Sequence, residues 1–326
     1  MASREKQRSQ VLKGQAGQTQ PFSSFLGSRA RLPERILRFT VAGQRQADRQ
    51  IVGLTVSEQL GLIVKEDGVM TFELAACAEM LWQDKPIDWR ASRLAEMGFG
   101  VGLWNWPEHD VDKLAKTGAR FTIMNGYLDG RLADNEGADM LLASARQTAQ
   151  IGKKLGVERL NLHGTGLGDG GLPLVRSEQE TGTMWLKARD TLMRICDLAE
   201  QEGVVFCIEN LNLMDHPGCP FGSTEAVLAL VSCVNRPELR INLDLYHTQL
   251  GEGDLIRWCE KCLPFIGEIQ VADNPGRCEP GTGEINYPAV ARALAKWGYS
   301  GPVGLEAFAQ GNPEDALAAF RDAFTV

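Results

Sequence analysis

Four oxygen-bearing side chains follow four successive apolar segments in the second half of the chain, each where its segment ends. They are Glu209 in CIEN, Asp244 in INLDLYH, Gln270 in GEIQVAD and Glu306 in VGLEAF. If these segments are parallel strands of one barrel, their ends meet at one rim, where three carboxylates repel one another unless a cation lies between them. Hard oxygen ligands of this kind suit Mg²⁺ or Mn²⁺. The sequence therefore predicts a divalent metal site formed by all four residues.

Two of these residues are glutamates, and the pair indicates a reaction. A metal can hold both oxygens of a hydroxy-carbonyl compound and stabilise the enediolate that forms when a neighbouring carbon loses a proton. A carboxylate beside the metal can remove that proton and return it to the next carbon. We therefore predict that Glu209 and Glu306 are catalytic as well as metal-binding. The predicted reaction is an aldose–ketose isomerisation or an epimerisation of a small hydroxy-carbonyl substrate.

Two histidines are candidates for substrate contact. His247 follows Asp244 by three residues and His163 ends the fourth strand pattern, so both can face the same rim. A structural alternative stays open for each, because a histidine at a strand end also bonds loop carbonyls. His109 and His216 lie in polar loop sequence, and we expect them to be exposed to solvent.

The segment after the seventh strand pattern, ADNPGRCEPGTGEINY, is rich in Gly, Pro and charge. Its Arg277 carries paired donors that suit a substrate carboxylate, and Glu279 and Glu284 are predicted to orient it. Arg277 and Glu279 are therefore candidate substrate-binding residues. The alternative is a solvated surface loop, since the loops at the top of a barrel serve both purposes.

The elements that must position these residues form an unbroken alternation of strand and helix patterns. Strands are predicted at 72–76, 101–104, 120–125, 159–163, 204–209, 240–244, 266–271 and 303–306. Helices are predicted at 87–97, 111–117, 138–155, 178–202, 223–233, 253–262, after Pro288 and at 313–324. Eight strand–helix units in one run predict an α/β fold of the (β/α)8 TIM-barrel type over residues 70–326.

Residues 1–69 differ from the rest of the chain, because they are rich in Gln, Ser and Arg. Residues 1–50 alone contain ten Lys or Arg and three Asp or Glu, whereas the remaining residues contain 24 and 39. We expect a basic, flexible N-terminal extension without chemistry. A transit peptide and upstream sequence outside the functional protein stay open as alternatives.

Composition also restricts the partners. The acidic remainder of the chain disfavours binding to a nucleic-acid backbone. No run of 18 apolar residues exists, so we expect no membrane partner. The eight cysteines show no framework spacing and are expected to be reduced thiols, which favours a cytoplasmic location. The sequence leaves a homo-oligomer open.

Several segments resemble the hydroxypyruvate isomerase family of xylose-isomerase-like barrels. They are AEMLW, CIENLN, DLYHTQ and above all IQVADNPGRCEPGTGEINY followed by GYSGPVGLE, within about residues 70–310. The resemblance implies that Glu209, Asp244, Gln270 and Glu306 bind the cation, and that the two glutamates transfer protons between hydroxypyruvate and tartronate semialdehyde. The related epimerases usually have a His where this chain has Gln270.

Other functions stay open beside this one. Cys278 and Cys77 stand where the family commonly has His and Asn, so a 2-oxo-tetronate is an alternative substrate. A ketose 3-epimerase is a second alternative. An abasic-site endonuclease, also found among these barrels, would need a histidine-rich zinc site, and the chain has four His. The non-enzyme alternative is a catalytically inactive barrel that acts as a binding module.

Overall fold

The computed structural model describes residues 72–326, so the N-terminal extension lies outside the described residues. Eight parallel strands pair in chain order, and the eighth pairs with the first to close a barrel. The strands are β1 (Glu73–Cys77), β2 (Gly100–Leu103), β3 (Phe121–Asn125), β4 (Arg159–Leu162), β5 (Val205–Glu209), β6 (Leu239–Asp244), β7 (Ile266–Val271) and β8 (Pro302–Leu305). The predicted TIM barrel is confirmed, and every strand begins within one residue of its predicted start.

Helices on the outside of the barrel connect the strands. Those of the described residues are α1 (Ile87–Glu96), α2 (Val111–Ala115), α3 (Asn135–Leu155), α4 (Gly182–Glu202), α5 (Thr224–Val234), α6 (Leu245–Gly251), α7 (Leu255–Cys262), α8 (Tyr287–Lys296) and α9 (Pro313–Ala323). All of them except α6 correspond to predicted helices.

The helix α6 follows β6 without a connecting loop. Asp244 is both the last residue of β6 and the N-cap of α6, and its Oδ1 accepts hydrogen bonds from the backbone nitrogens of Tyr246 (2.7 Å) and His247 (3.2 Å). A short acidic side chain at this position satisfies amides that have no partner within the helix. The cap therefore fixes the orientation of Asp244 and places His247 beside it, in the first turn.

The boundaries of the two longest helices follow from their caps. Asp134 and Thr181 each accept a hydrogen bond from an amide in the first turn, so α3 and α4 begin directly after them. The apolar pattern alone predicted one start three residues late and the other four residues early. Both helices end at a glycine in the left-handed conformation, Gly156 and Gly203, which glycine adopts without steric cost.

The apolar core lies between the strands and the surrounding helices. On β4 and β5, Leu160 and Phe206 are fully buried. Successive side chains of a strand point to opposite faces, so the neighbouring Asn161 points into the barrel. The register pairs Glu209 with Asn242 and Asp244 with Gln270 across adjacent strands. The part of the barrel interior near the carboxyl ends of the strands is therefore lined by polar side chains.

Two further expectations concern the whole chain. No helix between residues 72 and 326 is both long and apolar enough to cross a lipid bilayer. All eight cysteines are free thiols. The expected cytoplasmic location and the homo-oligomer stay predictions.

Candidate active site

The four residues predicted to bind a metal all lie at the carboxyl end of the barrel. Glu209 and Asp244 are the last residues of β5 and β6, Gln270 is the penultimate residue of β7, and Glu306 directly follows β8. Glu209, Asp244 and Gln270 are buried, and Glu306 is only partly exposed. The barrel geometry therefore brings together the strand ends that the sequence singled out.

Glu209 and Asp244 form the centre of this site together with His247. One ligand atom of each lies within 4.8 Å of the others, which is a group of the kind that could hold a metal ion. The Nε2 atom of His247 is 3.6 Å from Asp244 Oδ2 and 4.0 Å from Glu209 Oε1. His247 was predicted to face the rim, and the structure places it at the centre of the group.

The hydrogen bonds of Asn212 define which nitrogen of His247 carries a proton. The Oδ1 atom of Asn212 accepts from two backbone nitrogens, those of Met214 and Asp215, at 3.0 and 2.8 Å. Its Nδ2 therefore points the other way and donates to His247 Nδ1 at 2.7 Å. Burial lowers the pKa of His247 well below its ordinary value, so the imidazole is neutral. A neutral imidazole that accepts at Nδ1 carries its hydrogen on Nε2. His247 thus faces the carboxylates as a hydrogen-bond donor, and in this tautomer its Nε2 cannot act as a metal ligand.

Arg277 lies between two of the carboxyl groups. Its Nη2 donates to Glu306 Oε2 at 2.6 Å and is 3.8 Å from Asp244 Oδ2. The guanidinium also lies over the ring of Tyr246, 5.0 Å from the ring centroid, in a cation–π contact. The guanidinium group of Arg277 therefore contributes a positive charge to the rim, next to Glu306 and Asp244.

The prediction that Glu279 and Glu284 orient Arg277 is wrong. The backbone nitrogen of Phe308 donates to Arg277 O at 2.9 Å, which ties this loop to the segment after β8 and brings the guanidinium next to Glu306. Glu279 instead accepts a hydrogen bond from the backbone nitrogen of Gln310 at 2.9 Å. Glu284 accepts from two amide side chains and, like Glu279, does not join the cluster.

Two asparagines inside the barrel connect Gln270 to Glu209. Asn242 Nδ2 donates to Gln270 Oε1 at 2.8 Å and to Asn161 Oδ1 at 3.2 Å. Asn161 in turn donates from Nδ2 to Glu209 Oε2. His163 Nε2 is 3.0 Å from the same oxygen, so its ring borders the rim. This network holds two of the predicted ligands through side chains that the sequence analysis did not single out.

The buried carboxyl groups have unequal pKa values. Burial raises the pKa of Asp244 to about 7 and that of Glu306 to about 8, although Arg277 favours the charged form of both. Burial also opposes the charge of Glu209, but hydrogen bonds from His163 and Asn161 lower its pKa below the ordinary value. The two raised pKa values thus follow from burial beside other carboxyl groups, and the lowered pKa of Glu209 follows from its hydrogen bonds.

The residues present fit a divalent cation. Three carboxyl groups and a carboxamide oxygen are hard ligands, and the single guanidinium of Arg277 balances only part of their negative charge. The amide network holds Glu209 and the cap of α6 holds Asp244, so that Glu209 Oε1 and Asp244 Oδ2 lie close together and face His247. A divalent ion would offset the repulsion among these carboxylates, which adds to the effect of burial on the pKa values of Asp244 and Glu306.

Two expectations about the remaining histidines are wrong. His216 is buried, because its Nδ1 donates to Gly171 O at 2.6 Å and its ring packs edge-on against that of His247, with 5.1 Å between centroids. His109 is half-buried and lies 3.2 Å from Glu79 Oε1. The polar sequence around these residues correctly indicated loops. It did not indicate that the loops after β4 and β5 pack against each other and thereby cover His216.

Asn161 and Asn242 contact the candidate ligands but were not predicted from the sequence. Each precedes a predicted site residue by two positions, His163 and Asp244, and therefore lies on the same face of its strand. This spacing was the available signal. Asn212 gave no comparable signal, since it lies in the loop after β5 and reaches His247 only through the fold.

Comparisons with known proteins give the family and the fold independently. The profile of the xylose isomerase-like TIM barrel family matches residues 68–324. The chain is 36% identical over 128 residues to hydroxypyruvate isomerase of Escherichia coli (strain K12). The matched segment covers 39% of this chain and 50% of that protein. It is 35% identical over 128 residues to 2-oxo-tetronate isomerase of Pectobacterium atrosepticum, covering 39% and 49%. The match thus spans about half the length of each relative.

A solved structure resembles the whole barrel. The crystal structure of AP endonuclease, family 2, from Brucella melitensis is 26% identical and superposes with a TM-score of 0.68. The match covers 78% of this chain and 99% of that one.

The tautomer of His247 provides a direct test of the site geometry. Asn212→Asp keeps the acceptor for the two backbone amides but replaces the Nδ2 donor by a second acceptor. We expect the hydrogen of His247 to move from Nε2 to Nδ1, which long-range ¹H–¹⁵N NMR of the imidazole detects. His216 is the internal control, because its bond to Gly171 O requires a hydrogen on Nδ1 in both proteins. A wild-type His247 with its hydrogen on Nδ1 would contradict the assignment.

Proposed function

Because the chain belongs to the xylose isomerase-like TIM barrel family, we propose that it is a metal-dependent isomerase of small 2-oxo and hydroxy acids. The reaction is of the hydroxypyruvate to tartronate semialdehyde type, that is, an intramolecular oxidoreduction of the aldose–ketose kind. The observation that carries the proposal is the grouping of Glu209 and Asp244 at one buried rim, where Arg277 links Asp244 to Glu306. The similarity to the Escherichia coli hydroxypyruvate isomerase supports the same reaction.

The proposed metal ligands are Glu209, Asp244, Gln270 and Glu306, and Mg²⁺ or Mn²⁺ suits their oxygen atoms. When bound, the cation polarises the substrate carbonyl and stabilises the negative charge of an enediolate. The chain's own residues hold the ligands in place: the cap of α6 orients Asp244, and Asn161 and Asn242 orient Glu209 and Gln270.

The two glutamates carry the proposed proton transfer. One carboxylate removes a proton from the hydroxymethyl carbon of the substrate, and a proton is returned to the adjacent carbon, which was the carbonyl carbon. At the same time the carbonyl oxygen gains a proton and the hydroxyl oxygen loses one. Atoms and charge balance, so no further reactant is needed. Glu209 and Glu306 belong to strands on different sides of Asp244 and Gln270, which suits work on two adjacent carbons.

Three side chains are proposed to bind the substrate. His247 presents Nε2–H to the centre of the site and can donate to a substrate oxygen. The guanidinium of Arg277 can take a substrate carboxylate, as its donors suit that group. His163 lies against Glu209 and borders the same space. The structure gives no comparable support for Glu279, whose carboxylate contacts the backbone of Gln310.

A 2-oxo-tetronate is the alternative substrate. The similarity to the 2-oxo-tetronate isomerase of Pectobacterium atrosepticum supports it about as strongly as the similarity to the Escherichia coli enzyme supports hydroxypyruvate. An epimerase acting on a longer ketose and an inactive barrel used for binding are the further alternatives. A panel of these three substrate classes, followed by exchange of solvent deuterium into the substrate carbons, separates them. An inactive barrel would give neither turnover nor exchange.

The substitution Glu306→Gln tests the proton transfer. General acid–base groups contribute about 10²- to 10⁴-fold to rate, so we expect kcat to fall by about that factor and deuterium exchange to be lost. Glu260→Gln on α7 removes an exposed carboxylate far from the rim and is the matched control. Near-normal turnover by a folded Glu306→Gln protein would remove this residue from the mechanism.

Metal removal and addition test the cation site. After exhaustive dialysis against a chelator, we expect Mg²⁺ or Mn²⁺ to raise the melting temperature, since a ligand at 100 times its Kd stabilises the folded state by about 2.7 kcal/mol. Asp244→Asn keeps an acceptor for the helix cap but removes a negative charge, and it should reduce this shift strongly. An equal shift in wild-type and Asp244→Asn proteins would contradict the ligand assignment.

We also propose that residues 70–326 form the catalytic domain and that residues 1–69 are an extension without a role in chemistry. All proposed site residues lie in the domain matched by the family profile. A chain that begins at Met70 should therefore retain the kcat of the full chain, as measured with the same substrate. Loss of turnover or of folding on truncation would show that the extension belongs to the domain.

A further inference from the structure

A second cavity lies at the opposite end of the barrel from the candidate active site. Its volume is about 410 Å³. It is lined by the first residues of β4 and β5, by Arg240 near the start of β6, by the start of β7 and by the 297–301 segment that leads into β8. The amino-terminal ends of four strands therefore surround it. We refer to this cavity as the basal pocket.

Two arginines line the basal pocket without a salt bridge to a carboxylate of residues 72–326, although Arg159 lies close enough to the buried Glu268 to oppose the rise in the pKa of that carboxyl group. Arg159 and Arg240 are both half-buried, yet within residues 72–326 neither has a carboxylate oxygen within 4.0 Å. The guanidinium of Arg240 makes no hydrogen bond to the described part of the chain, and that of Arg159 makes one, from Nε to Gly267 O at 3.1 Å. Charged side chains that are withdrawn from water are normally paired.

A nearby arginine shows what pairing looks like in this protein. Arg236, also half-buried, contacts three carboxylates, those of Asp197, Glu200 and Glu238, at 2.9 to 3.1 Å. The chain as a whole is acidic, with a net charge of −8, so carboxylates are abundant. The two guanidinium groups of the basal pocket nevertheless lack such contacts in the described residues.

The backbone of β7 makes room for these arginines. A Cβ atom on Gly267 would lie 2.8 Å from Arg240 Cβ and 2.7 Å from Cys207 Sγ. Any side chain at this position would therefore displace Arg240 from the wall of the pocket. Ser300 also lines the pocket, is exposed and offers a hydroxyl group. The pocket is thus lined by two guanidinium groups and a hydroxyl group and has room for a small ligand.

We propose that the basal pocket binds a small phosphate-bearing anion between Arg159 and Arg240. The planar guanidinium group donates two parallel hydrogen bonds to phosphate oxygens, which is why arginine pairs recognise this group. A volume of about 410 Å³ exceeds that of inorganic phosphate and admits a small phosphate monoester. The site is separate from the metal rim, so the proposal does not depend on the reaction catalysed there.

Calorimetric titration of the full chain tests the proposal, with inorganic phosphate and glycerol phosphate as probes and acetate at equal ionic strength as the reference. We expect saturable binding of the phosphate probes. Arg159→Gln and Arg240→Gln should each weaken it at least about tenfold, because a hydrogen bond to a charged group contributes about 1.5–3 kcal/mol. Tighter binding of the monoester would identify a phosphorylated metabolite as the ligand, and equal binding would identify the free ion.

Two control variants locate the binding. Arg292→Gln removes an exposed charge from α8, and Arg277→Gln removes the guanidinium at the other end of the barrel. Both should retain phosphate affinity. Loss of binding in Arg277→Gln, unchanged binding in Arg159→Gln and Arg240→Gln, or no saturable binding in the wild-type chain would each overturn the proposal.

A measurement on the unmutated chain covers the case in which a variant fails to fold. Phenylglyoxal modifies accessible guanidinium groups, and mass spectrometry of the peptides gives the extent at each arginine. Phosphate should protect Arg159 and Arg240 and leave the modification of Arg292 unchanged. Equal modification of Arg159 and Arg240 with and without phosphate would contradict binding in the basal pocket.

Discussion

The confinement of three carboxyl groups at one buried rim is the constraint on which the rest of the site depends. Buried charges are costly unless they are paired or bound to a metal. Arg277 relieves part of that cost through Glu306 and Asp244. Burial, with a smaller contribution from the neighbouring carboxylates, nevertheless raises the pKa values of these two carboxyl groups. The loop that carries Arg277, the cap of α6 and the amide network all hold groups in place against this repulsion.

The hydrogen bonds of the amide network cross the barrel interior and fix the positions of residues at the rim. Asn161 lies on β4, Asn242 on β6 and Gln270 on β7, so the hydrogen bonds join strands that are not all neighbours in the sheet. Neutral amides can satisfy both oxygens and nitrogens without adding charge. The rim therefore receives its fixed geometry from uncharged groups below it, which do not add to the repulsion above.

The sequence predicted the barrel well because each strand is a short, largely apolar segment followed by a loop and a helical pattern, as around Glu209 and Glu306. It failed where one side chain decided the local structure. The helix α6 depends on the cap of Asp244 rather than on an apolar period. The burial of His216 and the partner of Arg277 depend on contacts between loops that are far apart in the chain, and no local pattern contains that information.

The hydrogen bonds of the two central carboxylates also set their denticity. Asp244 commits Oδ1 to two backbone amides, and Glu209 commits Oε2 to Asn161 and His163. Each residue is therefore left with one free oxygen and can bind a cation only in a monodentate fashion. If a divalent cation is held here, each of these two carboxylates would contribute one oxygen, and a vicinal hydroxy-carbonyl substrate would supply further oxygen ligands.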